Sequence, residues 1–123
     1  MQLDDLDDLA GEILRAIDVD EDNNQILLTT ESGREILLHH CQSCCEKVRI
    51  LDTEGEWRQL LGKPLLDATH HEQQADTARG SETRTALTFC VDGATVISRW
   101  IGKSNGYYSE SVHIRELTEP CQP

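Results

Sequence analysis

Three glycine-containing turn signals cut this chain into short β-rich runs. Glu31-Ser32-Gly33 separates residues 25–30 from 34–40, and Asp92-Gly93 separates 83–91 from 95–101. Asn105-Gly106 sits at the tip of a segment, 103–108, that joins 95–101 to 109–117. Gly and Asn accept the positive φ that tight turns need, so each signal predicts a hairpin. Connections this short force antiparallel neighbours. Residues 12–19 and 46–52 also read as strands, and in the second Val48 and Ile50 share one face while Lys47 and Arg49 take the other. A turn is expected over 21–24 and a strand over 64–70. Residues 71–81 are polar without periodicity and read as a loop or a flexible β-turn excursion. Two helices complete the expectation. Leu3, Leu6, Leu9 and Ala10 predict a short amphipathic helix within residues 1–10, stopped near Gly11. Thr53 and Glu56 form a capping-box pattern for a mid-chain helix over 53–61, with Trp57, Leu60 and Leu61 on its buried stripe and Gly62 ending it. The expected fold is α+β: a mainly antiparallel, strongly bent sheet, a short N-terminal helix and one mid-chain helix. Residues 1–123 are expected to form a single domain with a frayed tail at 118–123.

Charge narrows the function classes. The chain holds 23 Asp and Glu against 11 Lys and Arg, for a net charge of -12. Such a field repels phosphate backbones and argues against direct nucleic-acid binding. The acidity is uneven, because residues 1–24 hold nine acids and one base, Arg15. That end reads as a solvated face, or as an acidic surface imitating DNA and suited to a basic protein partner. No apolar run approaches the ~18–20 residues of a membrane span, so no membrane association is expected. Residues 1–8 are acidic and carry no basic n-region, so the expectation is a cytoplasmic protein without a secretory signal.

The five cysteines, Cys41, Cys44, Cys45, Cys90 and Cys121, are odd in number. In a cytoplasm they are expected as reduced thiols. The densest reactive cluster is His39-His40-Cys41-Gln42-Ser43-Cys44-Cys45-Glu46. Cys41 and Cys44 have the C-x-x-C spacing that grips zinc, and His40, Cys44 and Cys45 are candidate ligands for zinc or iron. With no second C-x-x-C, further ligands would have to come from His70, His71, Cys90 or a neighbouring His. Buried structural cysteines are the simpler reading of the same residues. A nucleophilic thiol paired with His40 is a third, although nothing else matches a thiol-enzyme signature.

A second dense segment runs from Trp100 to Glu110 and holds three of the five aromatic residues. Tyr107 and Tyr108 would face opposite sides of an extended chain, one free to stack a ligand, with Asn105, Ser109 and Glu110 supplying hydrogen bonds. Together the two segments resemble a family of small uncharacterised proteins from bacteriophages and their bacterial hosts, which carries a domain-of-unknown-function label. The similar motifs are H-x-Q-x-C-C-E-x-V at His40–Val48, L-[IL]-G-x-P at Leu60–Pro64 and R-W-x-G-x-S-N-G-Y-Y-S-E-x-V at Arg99–Val112. The resemblance spans roughly residues 9–117 and implies a phage setting without an assigned reaction.

The expected function is therefore a non-enzymatic phage or prophage binding protein that inhibits or sequesters a component of host defence. A host protein is the favoured partner and a small signalling nucleotide the second. No run of bases and no Gly-rich helix start marks a phosphate site. The expected contact residues are His40, Gln42, Glu46, Asn105, Tyr107, Tyr108, Ser109 and Glu110, lining one pocket. No cofactor is expected unless the alternative holds, a metalloprotein binding zinc or iron through His40, Cys44 and Cys45.

Overall fold

The computed structural model describes residues 6–41, 45–106 and 109–117. Eight strands fill these residues: β1 (Leu14–Asp20), β2 (Gln25–Thr30), β3 (Glu35–His39), β4 (Lys47–Glu54), β5 (Asp67–Thr77), β6 (Gly80–Val91), β7 (Ala94–Ser104) and β8 (His113–Leu117). Among the described residues they form two four-stranded sheets, ordered β1-β2-β3-β8 and β4-β7-β6-β5. Every ladder within them is antiparallel. The fold is thus almost entirely β, which corrects the expected α+β class and its single bent sheet.

Alternation explains the two layers. In β2 and β3, Ile26, Leu28, Ile36 and Leu38 are fully buried while their neighbours along the strand are mostly half-exposed. In β6 and β7, Leu87, Phe89, Val91, Val96 and Trp100 do the same. An antiparallel sheet with one apolar face must cover it, and these two faces meet in one core. The Trp100 indole N–H is satisfied inside that core by Ser98 Oγ at 2.9 Å.

The mid-chain helix does not form. Thr53 and Glu54 belong to β4, paired with Ser98 and Ile97 of β7. That ladder satisfies backbone groups a helix start would leave open. Gly55 then turns the chain at φ 91°, and only a 3-10 turn, Trp57–Leu60, follows. Glu56 caps it without a side-chain hydrogen bond, so the capping box is not made. The stripe is partly as read: Leu60 is buried and Trp57 meets Phe89 at 5.8 Å, but Leu61 is exposed. At the N-terminal end a 3-10 turn, Leu6–Leu9, replaces the described part of the expected helix, with both leucines fully buried.

Residues 71–81 are mostly strand, with a turn only at 78–79. β5 and β6 pair without a register shift from Asp67↔Cys90 to Thr77↔Gly80. On β5 every residue from Thr69 onward is exposed, so no apolar alternation marks the strand. The expected hairpin between 95–101 and 109–117 is also absent. β7 lies in one sheet and β8 in the other, where β8 pairs with β3. The tail at 118–123 lies outside the described residues. No helix among those described is long and apolar enough to cross a membrane.

Candidate functional site

His40 and Glu46 come together, but as a buried staple. Their side chains are 4% and 0% exposed, and His40 Nε2 lies 2.8 Å from Glu46 Oε2. His40 Nδ1 lies 2.7 Å from the Ser111 carbonyl oxygen. A carbonyl only accepts, so Nδ1 carries a proton and one further proton lies between Nε2 and the carboxylate. The pair joins the end of β3, the start of β4 and the approach to β8. His113 stacks on His40 with ring centroids 5.3 Å apart, and its Nδ1 accepts the Cys41 backbone N–H at 3.0 Å. Burial, followed by the charge of His40, holds the His113 imidazole below its ordinary pKa, against a smaller opposing effect of Glu72. Burial and the nearby His113, Arg115 and His40 do the same to His39.

Glu110 is the second staple. It is 3% exposed and accepts hydrogen bonds from the hydroxyls of Ser81 at 2.5 Å, Thr83 at 2.8 Å and Ser104. Burial pushes its carboxyl up, but those hydroxyls and the Ser104 backbone outweigh burial and bring it below the usual carboxylate range. Gly102 makes the approach feasible, since a Cβ there would lie 2.6 Å from the Glu110 carbonyl oxygen. Ser104 Oγ also accepts the Gly106 backbone N–H at 2.9 Å. The Gly102, Ser104, Gly106 and Glu110 positions of the long motif thus fasten the passage from β7 to β8.

The open surface lies beside these staples. Lys47 and Arg49 of β4 face Lys103 and Ile101 of β7 in the ladder. Val48 and Ile50 pack on the core, so alternation puts Lys47 and Arg49 on the outer face. Arg79 joins them from the turn between β5 and β6. That turn sits against the end of β7 because Gly80, at φ 152°, has no side chain; a Cβ would fall 2.0 Å from the Ser104 carbonyl oxygen. Lys47, Arg49, Arg79 and Lys103 line a groove of about 630 Å³ with Ile101 as its apolar lining and Ser104, Asn105 and Cys45 at its margin. Among the described residues no Asp or Glu lines it. Among the described residues none of the four cations makes an ion pair, whereas Arg34, Arg58, Arg84 and Arg99 all do.

Four of the chain's 11 bases thus converge in one hollow. The absence of a basic run in the sequence hid this. Only the Lys47/Arg49 alternation was visible, and the β4–β7 register supplies the rest. Among the described residues, the contact residues expected from the two motifs do not line a single pocket. Asn105 reaches the groove; His40, Glu46 and Glu110 are buried in staples; Ser109 is exposed, its Oγ accepting the Ser111 N–H at 3.3 Å. Gln42, Cys44, Tyr107 and Tyr108 lie outside the described residues.

The metal reading finds little to use. Both ring nitrogens of His40 are engaged, and Cys45 is disulfide-bonded, against the expectation of reduced thiols, so it offers no thiolate. Cys41 and Cys90 are free. Among the described residues no three His, Cys, Asp or Glu side chains are placed to hold a metal ion.

A family model described as a domain of unknown function, DUF7448, matches residues 7–114. The chain belongs to the DUF7448 family. The match takes in both staples and the strands that carry the groove of this DUF7448 domain. No curated protein and no solved structure matches the chain.

Proposed function

We propose that this DUF7448 protein is a non-enzymatic binding module that holds a small, phosphate-bearing ligand in the Lys47–Arg49–Arg79–Lys103 groove. The observation that carries this reading is four cations, none in an ion pair among the described residues, around one hollow whose described lining holds no carboxylate, on a chain of net charge -12. Gathering like charges is unfavourable until an anion neutralises them, and a cleft of one sign focuses its field on that anion. The volume falls within the ~300–1,000 Å³ range of small-molecule sites. Ile101 offers an apolar surface beside the cations, which suits a nucleotide better than a bare inorganic ion.

A binding role fits the nearby chemistry. The Ser104 hydroxyl at the groove margin donates to Glu110, whose lowered pKa makes it a poor general base near neutrality. The resemblance to phage and host proteins suggests a setting, sequestration of a signalling nucleotide used in host defence. The groove ranks this above capture of a host protein by the acidic N-terminal end.

Calorimetric titration of pyrophosphate and of mono-, di- and cyclic nucleotides into the protein tests the reading. Binding of at least one phosphate-bearing compound is expected, weakening with salt and lost in Lys47→Glu/Lys103→Glu. Absence of binding across the panel, or equal binding by the folded double variant, overturns it.

A further inference from the structure

The outer edge of β5 differs from the other sheet edges. β1 and β4 are interrupted by register shifts, between Leu14 and Ala16 and between Ile50 and Asp52, and β4 also carries Lys47 and Arg49. β8 spans only His113–Leu117 and includes Arg115. These are the usual guards against edge-to-edge pairing. β5 has none of them. It is 11 residues long, pairs with β6 without a shift, and contains no Lys, Arg or Pro. The Leu6–Leu9 turn packs on it. From Thr69 to Thr77 every residue is exposed.

We propose that this edge pairs with β5 of a second copy, antiparallel about a two-fold axis at Gln73. Symmetry restricts the register strongly. An axis that makes neighbouring strands antiparallel stands perpendicular to the sheet and keeps each copy's inner face on the same side. Opposed residues must then share a face, so the axis passes through a residue. Centred on Gln73, the pairing sets His70 opposite Asp76 of the second copy, Glu72 opposite its Gln74, and Thr69 opposite its Thr77. Each contact occurs twice, and no like charges oppose. Moving the centre to Glu72 sets Glu72 against itself. Moving it to Gln74 sets Glu72 against Asp76. Like charges directly opposite are unfavourable, so one step either way is disfavoured. The central register spans the exposed stretch from Thr69 to Thr77, within which His70 Nε2 lies 3.5 Å from Glu72 Oε2 of its own strand, and it joins two four-stranded sheets into one of eight strands. A histidine hydrogen-bonds a carboxylate whether its ring is neutral or charged.

The groove lies mainly on β4 and β7; of its four cations only Arg79 comes from the β5–β6 turn, two residues beyond Thr77. Sedimentation velocity over a concentration series gives the first readout, with a monomer–dimer equilibrium expected. Gln73→Lys places two lysines face to face on the axis and is expected to lower the association constant about tenfold or more. Register is read by oxidative cross-linking against the background of the wild-type cysteines. Gln73→Cys should link to its own mate. His71→Cys and Ala75→Cys should each fail alone yet link when the two are mixed, because opposed residues lie within disulfide reach. Circular dichroism confirms that each variant is folded. A wild-type monomer at every concentration, a dimer indifferent to Gln73→Lys, or cross-links of another pattern overturns the proposal.

Discussion

Replacing Glu110 tests whether the long motif serves the fold. Its carboxylate accepts three hydroxyl hydrogen bonds while 3% exposed. Hydrogen bonds to a charged group contribute ~1.5–3 kcal/mol each, and a buried donor left without an acceptor costs ~1–3 kcal/mol. Removing the carboxylate also relieves its own burial cost, several kcal/mol in magnitude, which offsets part of the loss. Ser81 and Thr83 would stay buried without their acceptor. Glu110→Ala should therefore destabilise the protein by about 3 kcal/mol, roughly a hundredfold in the folding equilibrium. Glu110→Gln keeps the shape. Its amide oxygen can accept from Thr83 while its NH2 donates to the serine hydroxyls, which are free to rotate. Only charge assistance is lost, about 1–2 kcal/mol. The assay is urea unfolding from neutral to acid pH. Glu110 has a lowered folded-state pKa, so its contribution is complete above its ordinary value of 4.5 and is lost as pH falls through the folded value. The gap between wild type and Glu110→Gln should close over that window. A Glu110→Ala protein as stable as wild type, or a gap that ignores pH, refutes the reasoning.

Further outcomes follow from other contacts. Gly102→Ala should destabilise by ~1–3 kcal/mol in chemical unfolding, because its Cβ would lie 2.6 Å from the Glu110 carbonyl oxygen and 2.9 Å from its Cβ. Arg34 bonds Glu116 at 2.8 Å, Glu12 at 3.0 Å and Asp8 at 3.1 Å, the first two raising its pKa most. Arg34→Met should cost ~1–2 kcal/mol, the half-buried setting limiting the effect, and a thermal melt should record it. His39 and His113 both have lowered folded-state pKa values, so their contribution is complete above 6.5 and falls as pH drops below it. His113→Gln should flatten that part of the stability profile, as measured by unfolding at closely spaced pH values.

Legibility followed burial. The alternating apolar residues of β2, β3, β6 and β7 and the Glu31-Ser32-Gly33 and Asp92-Gly93 turns were readable because those strands have one wet face and one dry one. β5 was readable only at its start, within the strand expected over 64–70; from Thr69 onward both faces are exposed and that contrast is lost. Thr53 and Glu56 wrote a helix start that β4 pairing overrode. At the site, part of the polar density of the two motifs belongs to buried hydrogen bonds. His40, Glu46 and Glu110 are spent on one another's surroundings, inside the protein. The groove cations were individually unremarkable, and only the Lys47↔Lys103 register and the Gly80 turn make them neighbours.

The return of β8 to β3 also sets the order in which the chain can acquire its structure. The β1-β2-β3 meander and the β5-β6-β7 meander each form from adjacent hairpins. Leu38 pairs with Ile114 across a stretch of chain that contains the whole of the second sheet. Closing so long a loop loses chain entropy before any contact compensates, and such topologies fold slowly. During that interval β3, paired with β2 on one side, leaves its other edge open to other chains. The Arg34 link to Glu116 and the His40 link to Ser111 both act across this late pairing. Their weakening would show first as aggregation during refolding, before any loss appears in the finished molecule.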